Sequence, residues 1–183
     1  VVRRGTPQEG SRLWPIRLQR KSGVSCTRNG VPLPCWEIAP GQSLASTLAY
    51  YLPWRPNSTL SIVLGNKADF FITDAMNGCT FAYGAGGAPR VTHVNYNTFD
   101  DEGARKEGNP IDQPFMNREV RRVLGAAPQA ALRKADYATS SFPNVTVIGV
   151  RRGNQWGFVY QKRDYIGSTT VAEYKWKSVH TIR

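Results

Sequence analysis

The stretch DFFITDAMNGCTFAYGAGGAPRVTHVNY, residues 69–96, contains the pattern that decides the fold. β-Branched and aromatic residues favour extended strands, because their side chains pack well on a pleated surface. Glycine, asparagine and proline separate three such runs, which are DFFIT (69–73), CTFAY (79–83) and RVTHVNY (90–96). The stretch therefore predicts three consecutive strands, the last two joined as a hairpin around Gly86-Gly87.

The simplest register of this hairpin places Cys79 beside His93. A three-residue loop centred on Gly86 would pair Gly84 with Ala88, and the ladder would then continue to Cys79 opposite His93. Directly opposed residues lie on one face of a sheet, with Cβ atoms about 4.5–5.5 Å apart. We therefore expect the thiol to lie next to the imidazole, a placement that a slip of one residue would destroy.

This pair of side chains has a chemical meaning. An imidazole can accept the proton of a thiol, and the resulting thiolate is a strong nucleophile. The Asn77-Gly78 turn would leave the backbone N–H of Cys79 free to bind an oxyanion. Thr73 carries a hydroxyl that could orient the imidazole. The same residues also fit a structural hairpin that contains a buried cysteine, so two interpretations stay open at this point.

Patterns outside this stretch predict the remaining elements. Strands are expected at residues 12–21, 60–64, 145–151, 155–162 and 169–179. Helices are expected at 43–52, 117–127 and 128–138, and loops at 22–42 and 97–114. Pro15 favours an edge position for the first strand, since proline cannot donate to a ladder. The order of elements predicts a single α+β domain over residues 1–183, built on mostly antiparallel sheets.

The net charge of the chain indicates which classes of binding partner it favours. The formal net charge is +11 over 183 residues, which favours anionic partners such as nucleic acid, acidic proteins or an anionic membrane surface. The basic residues form short clusters instead of a basic tail, so a solvated basic surface also accounts for them. No apolar run approaches the roughly 20 residues of a membrane helix, so no membrane span is expected.

The three cysteines leave one pairing open. Cys26 and Cys35 enclose a turn-rich loop, where either a disulfide or two free thiols would fit. Cys79 is left over, and an odd thiol of this kind is a candidate reactive group. Zinc is not expected, because one cysteine and one histidine supply only two of its usual four ligands.

The segment FFITDAMNGCTFAYGAGGAPRVTH resembles the active-site segment of the bacterial glutamine deamidases. This family includes Burkholderia lethal factor, the cytotoxic necrotizing factors and the chemoreceptor deamidases. The likeness rests on the two phenylalanines before Thr73, the spacing of Thr73 from Cys79, and the Gly-Gly turn before His93. Burkholderia lethal factor is the member that the segment looks most like.

The likeness extends upstream and includes one departure. A Leu-Pro-Trp stretch, Leu52-Pro53-Trp54, lies at a similar distance before the cysteine, so that the clear resemblance covers about residues 50–95. Met76-Asn77 stands where the toxins carry Leu-Ser before the Gly-Cys pair. This departure changes the turn residue and leaves the second oxyanion donor open.

The resemblance implies a role for each residue. Cys79 would be the nucleophile, His93 the general base and acid, and Thr73 the orienter of His93, with the backbone N–H groups of Cys79 and Gly78 binding the oxyanion. The thiolate would attack the side-chain amide carbon of a glutamine, ammonia would leave, and water would hydrolyse the thioester to glutamate. An amine in place of water would make the site a transglutaminase. His93→Ala is expected to lose activity with little loss of stability.

The resemblance also implies a biological setting. A β-sandwich flanked by helices, a monomer without cofactor or metal, and a target protein as partner are expected. The protein would be a toxin or effector that is secreted or delivered into a target cell and acts in its cytoplasm. The resemblance identifies neither the target nor whether it belongs to a eukaryotic host or a rival bacterium, nor whether the chain is part of a larger toxin.

Two other functions fit parts of the sequence. A nucleic-acid-binding protein with a structural hairpin is suggested by the net charge and by aromatic residues among basic ones, namely Trp156, Tyr160, Tyr174 and Trp176. The alternative for those aromatic residues is ordinary strand packing. A Cys-His protease or transglutaminase would use the same site as a deamidase.

Overall fold

The computed structural model describes residues 13–28, 31–41, 46–105, 110–137, 143–168 and 171–182. Strands predominate in this part of the chain, which also contains a long and a short helix. The strands are β1 (Leu13–Arg28), β2 (Val31–Pro40), β3 (Thr47–Leu52), β4 (Ser58–Val63), β5 (Phe70–Thr73), β6 (Thr80–Tyr83), β7 (Arg90–Asn95), β8 (Ala130–Leu132), β9 (Pro143–Arg152), β10 (Gln155–Ser168) and β11 (Val171–Thr181). The helices are α1 (Gln113–Leu124) and α2 (Lys134–Tyr137).

The strands form two sheets. The seven-stranded sheet has the order β11-β10-β9-β5-β3-β1-β2, and the four-stranded sheet has the order β4-β7-β6-β8. Neighbouring strands are antiparallel throughout the described ladders except β3 and β5, which run parallel. The predicted α+β fold with mostly antiparallel sheets and flanking helices is therefore confirmed.

The main hydrophobic core lies between the two sheets. One continuous cluster joins buried residues of β3, β5, β9 and β10 to buried residues of β4, β6, β7 and β8. Phe71, Phe81 and Phe158 meet in it, with ring centroids 5.6–5.9 Å apart. Aromatic packing of this kind holds the ends of β5 and β6 against each other, and the candidate site lies at these ends.

The long helix α1 covers the outer face of the four-stranded sheet. Met116 and Val120 of α1 pack there against Ala82 and Val94. The helix begins after Asp112, whose carboxylate accepts a hydrogen bond from the Phe115 N–H at 3.0 Å. It ends at Gly125, a left-handed C-cap with φ 70°. Sequence patterning placed this helix at 117–127, because it overlooked the Asp112 cap.

The prediction of a helix at residues 43–52 is wrong. Thr47–Leu52 forms β3, which lies between β1 and β5 in the larger sheet. Its last four residues are all buried, because they pack on both faces of that sheet. A continuous apolar run of this length cannot be told from a helix by periodicity, and the neighbouring strands decide its conformation here.

Two further predictions of local structure are wrong. The expected loop at 22–42 is largely the β1–β2 hairpin, and β1 is an inner strand because it pairs with both β2 and β3. The expected helix at 128–138 is instead β8 followed by the short helix α2. β8 becomes a strand because it completes the four-stranded sheet, where Leu132 pairs with Phe81.

The other predicted strands and the turn around Gly153 are confirmed within a few residues. Gly153 has φ 59°, a value that favours glycine. The choice between a disulfide and two free thiols at Cys26 and Cys35 depends on their side chains, which lie outside the described part of the structure. No helix in the described part of the chain is long and apolar enough to span a bilayer.

Candidate active site

The observed β6–β7 register differs from the predicted one. Phe81, not Cys79, lies opposite His93, and the ladder closes with Tyr83 opposite Val91. The predicted pairing of Cys79 with His93 is therefore wrong. Its extension would have placed Tyr83 opposite Pro89, which has no N–H to donate. The Pro89 carbonyl instead accepts a hydrogen bond from the Leu64 N–H at 3.0 Å.

The difference in register is two residues, so the faces of the strands are unchanged. His93 and its cross-strand partner Phe81 lie on the inner face of the four-stranded sheet, and Cys79 belongs to the same buried cluster as Phe81. Cys79 itself directly precedes β6, just outside the β6–β7 ladder. The thiol and the imidazole therefore both lie buried near the first residues of β6.

The Cys79 thiol is buried among hydrogen-bond donors. Its residue is 1% exposed, and the Tyr137 hydroxyl donates to its carbonyl oxygen at 2.9 Å. Burial raises the pKa of the thiol to about 12. The sulfur faces the backbone N–H groups of Asn77 and Gly78 and the indole of Trp54. These donors lower the pKa of the thiol, because they favour the thiolate. The thiol is therefore protonated at neutral pH.

The His93 imidazole is buried among hydrogen-bond acceptors. The residue is 2% exposed, and burial lowers the pKa of the ring to about 4. Three neighbouring groups raise the pKa of the ring, namely the carboxylate of Asp74 and the backbone carbonyls of Leu52 and Pro53. Neither ring nitrogen has a hydrogen bond of regular geometry to a described atom. The ring is therefore neutral at pH 7 and able to accept a proton.

The Thr73 hydroxyl has a different partner from the one predicted. Thr73 is 1% exposed at the end of β5, and its oxygen accepts a hydrogen bond from the Val147 N–H at 3.0 Å. No hydrogen bond joins it to His93 among the described atoms. The role of Thr73 as the orienter of His93 stays a prediction.

Sequence patterning missed Asp74. Its N–H donates to the Leu52 carbonyl at 3.1 Å, and its charge acts on the pKa values of Cys79, His93 and Tyr51. Asp74 follows β5 directly, and the parallel strands β3 and β5 end side by side. The sequence does contain a signal for Asp74 as a site residue. It is a carboxylate that directly follows a buried strand and shortly precedes the candidate nucleophile.

The turn that carries the predicted oxyanion donors packs against Ile111. Gly78 is buried, and a Cβ at this position would overlap Cδ1 of Ile111. Ile111 forms an isolated bridge with Asn97 and packs against the cluster below α1. A methyl group at this position would require the end of the Ile111 side chain to move. Binding of an oxyanion by Gly78 and Cys79 stays a prediction.

We expect Gly78→Ala to lower the free energy of unfolding by about 1–2 kcal/mol, because the added methyl group overpacks against Ile111. Ile111→Val removes the overlapping Cδ1 atom alone, so the double variant should recover most of the loss. Urea unfolding of wild type, both single variants and the double variant checks this. Additive losses would show that Ile111 is not the group in conflict.

Within the described residues, no group of three or more His, Cys, Asp or Glu side chains is placed to hold a metal ion. No model of a known protein family matches the chain, and no characterised protein matches it significantly.

Proposed function

We propose that the protein is a cysteine-dependent amidohydrolase that converts a glutamine side chain of a target protein to glutamate. The observation that carries the proposal is a buried thiol and a buried imidazole near the first residues of β6, in contrasting surroundings. The N–H groups of Asn77 and Gly78 act on the Cys79 sulfur, whereas the carbonyls of Leu52 and Pro53 act on the His93 ring. These environments suit a thiol that gives up a proton and an imidazole that receives it. The resemblance of residues 50–95 to bacterial glutamine deamidases supplies the substrate class.

The proposed reaction proceeds through a thioester. His93 takes the Cys79 proton as the sulfur attacks the side-chain amide carbon, and the oxyanion is held by backbone N–H groups of Gly78 and Cys79. His93 then protonates the departing ammonia. Water, activated by His93, hydrolyses the thioester and leaves glutamate on the target. Because both groups are neutral at pH 7, the thiol proton moves to His93 while the sulfur attacks the amide carbon.

Substrate access requires movement of a side chain. Cys79 and His93 are 1% and 2% exposed, so a glutamine cannot reach the sulfur in the closed arrangement. Trp54 faces the sulfur. Entry of the glutamine therefore displaces Trp54, and the binding energy of the target protein compensates for the lost packing.

The proposal places the protein among toxins or effectors. It would be secreted or delivered into a target cell, whose cytoplasm holds the modified protein. The net charge of +11 favours a target with an acidic surface near the glutamine, since opposite charges speed encounter. Neither a cofactor nor a metal is needed for this chemistry, because the thiol and imidazole supply the nucleophile and the proton transfers.

Packing accounts for two of the four aromatic residues that suggested nucleic-acid binding. The Trp156 ring lies 6.0 Å from that of Tyr50 and 6.4 Å from that of Phe158, measured between centroids. Tyr160 is 8% exposed. The side chains of Tyr174 and Trp176 lie outside the described residues. The two aromatic residues whose side chains are described thus support the core, and nucleic-acid binding gains no specific support.

The proposal is tested by treating cell lysates with purified wild type or Cys79→Ser and comparing peptides by mass spectrometry. Wild type should convert one or a few glutamines to glutamate, and Cys79→Ser should convert none. Parallel eukaryotic and bacterial lysates identify the kind of target. Cleaved peptides made by wild type alone would instead show a protease, and amine-linked glutamines would show a transglutaminase.

A further inference from the structure

The backbone carbonyl of Cys79 has a buried hydrogen-bond donor from a distant part of the chain. The Tyr137 hydroxyl donates to this carbonyl oxygen at 2.9 Å. Tyr137 is 0% exposed, and Cys79 is 1% exposed. Burial raises the pKa of the Tyr137 hydroxyl well above its usual value, so the group is protonated and able to donate at neutral pH. A buried bond of this length fixes the direction in which the carbonyl points.

The residue that supplies this hydroxyl is itself firmly anchored. Tyr137 is the last residue of α2, which begins one residue after β8. The Arg133 N–H donates to the carboxylate of Asp136 at 2.6 Å, and the Asp136 N–H donates to the Arg133 carbonyl at 2.9 Å. β8 pairs with β6, the strand that directly follows Cys79. The short helix is therefore tied to the same sheet as the nucleophile.

The residues on both sides of Cys79 are also fixed by hydrogen bonds. Met76 and Val145 exchange two backbone hydrogen bonds, at 2.7 and 2.9 Å. The Thr80 hydroxyl accepts a hydrogen bond from the side-chain amide of Gln113 at 2.8 Å. The β6–β7 ladder begins at Thr80, one residue after Cys79. The bond from the tyrosine hydroxyl extends this support to Cys79 itself.

We propose that Tyr137 is a positioning residue for Cys79 and fixes the nucleophile by donating to its backbone carbonyl. The Tyr137 hydroxyl keeps its proton throughout, while the thiol gives its own proton to His93. A misplacement of the sulfur by about 1 Å costs about 10²-fold in rate, because attack needs the reacting atoms close and aligned. The catalytic meaning of the assignment rests on the proposed deamidase function, whereas the hydrogen bond does not.

The first test observes the hydrogen bond itself by NMR, with cysteine labelled by ¹³C at the carbonyl. The chain has three cysteines, so Cys79→Ser assigns the Cys79 resonance. Tyr137→Phe should move this resonance upfield, because the carbonyl loses its donor. Tyr83→Phe is the matched control, since the Tyr83 hydroxyl donates to the carbonyl of Ile182 in the same core, and it should leave the resonance in place. An unchanged resonance in Tyr137→Phe overturns the proposal.

The second test separates positioning from a general loss of stability. On the target found in lysate, Tyr137→Phe should lower kcat about 10²-fold and leave KM unchanged, because it misplaces the sulfur and not the substrate. Tyr83→Phe removes the same atom from the same core and should keep the wild-type kcat. Both variants are assayed at a temperature where urea unfolding shows them to be folded. Equal losses of kcat in the two variants would assign Tyr137 a structural role only and overturn the proposal.

The outcomes distinguish this proposal from the proposed function. Equal kcat for Tyr137→Phe and wild type overturns the positioning role and leaves the deamidase function standing. Absence of deamidation by wild type overturns the proposed function, and the Cys79 carbonyl resonance then still decides whether Tyr137 fixes Cys79.

Discussion

Cys79→Ala will lower the rate of the proposed glutamine deamidation by at least about 10³-fold, because no other nucleophile in the site can form the thioester. The residual rate comes from water attack assisted by binding and oxyanion contacts. The free energy of unfolding should fall by only about 1 kcal/mol, since a buried cysteine packs as a small apolar group. The measurements are a mass-spectrometric time course on the target found in lysate and a urea unfolding curve.

The matched control for this prediction is Ile111→Val, which trims a side chain beside the catalytic turn and keeps the thiol. This variant should retain activity, because it removes only the Cδ1 atom that lies over Gly78. A Cys79→Ala protein that still deamidates the target at the wild-type rate would assign the chemistry to another residue. Loss of activity in both variants would point to the turn and not to the sulfur.

Acidification will destabilise the fold through His93. The folded-state pKa of this ring is about 4, whereas an unfolded histidine titrates near pH 6.5. Below pH 6.5 the unfolded chain therefore binds a proton that the folded chain excludes, and stability falls with falling pH until the folded ring titrates. The contribution of His93 to the free energy of unfolding should drop by about 3 kcal/mol across this window.

The measurement is urea unfolding by tryptophan fluorescence at several values between pH 7 and pH 4, with His93→Gln as the variant that cannot titrate. Carboxylates titrate in both proteins, so the difference between the two pH profiles isolates the imidazole. His180→Gln is measured alongside, so that the contribution of the other histidine is separated from that of His93. Parallel profiles for wild type and His93→Gln would contradict the prediction.

Burial also changes what is expected of His93→Ala. Sequence considerations alone indicate a loss of activity with little loss of stability. The ring is 2% exposed and lies opposite Phe81 and Leu60 on the neighbouring strands, so its truncation leaves a cavity. We now expect this variant to be both inactive and less stable, which makes Cys79→Ala the cleaner probe of chemistry.

The hairpin could be predicted because its signals are local. The strands at β6 and β7 and the glycine turn between them follow from adjacent residues. Their register could not be predicted, since it also depends on pairs with the outer neighbours, such as Leu60 with His93 and Leu132 with Phe81. Pro89 then excludes the tighter turn, because it has no N–H for the ladder.

The strand β3, in contrast to the hairpin, could not be predicted from local signals. Residues 49–52 form a continuous apolar run that is equally compatible with a buried helix turn and a buried strand. The run becomes a strand because β1 and β5 supply its hydrogen bonds and two separate clusters cover its faces. None of these partners is adjacent in sequence, so the conformation depends on tertiary packing.

The sequence by itself determined most of the strand-forming segments and the hairpin that carries His93, because side-chain alternation along a strand is a local property that survives a two-residue change of register. Only the tertiary structure decided the burial and the neighbours of Cys79 and His93. It buried both groups, which holds them neutral at pH 7, and it brought Asp74, Trp54 and Ile111 to them. Burial and charge depend on segments that are distant along the chain, and only packing of the two sheets brings those segments together.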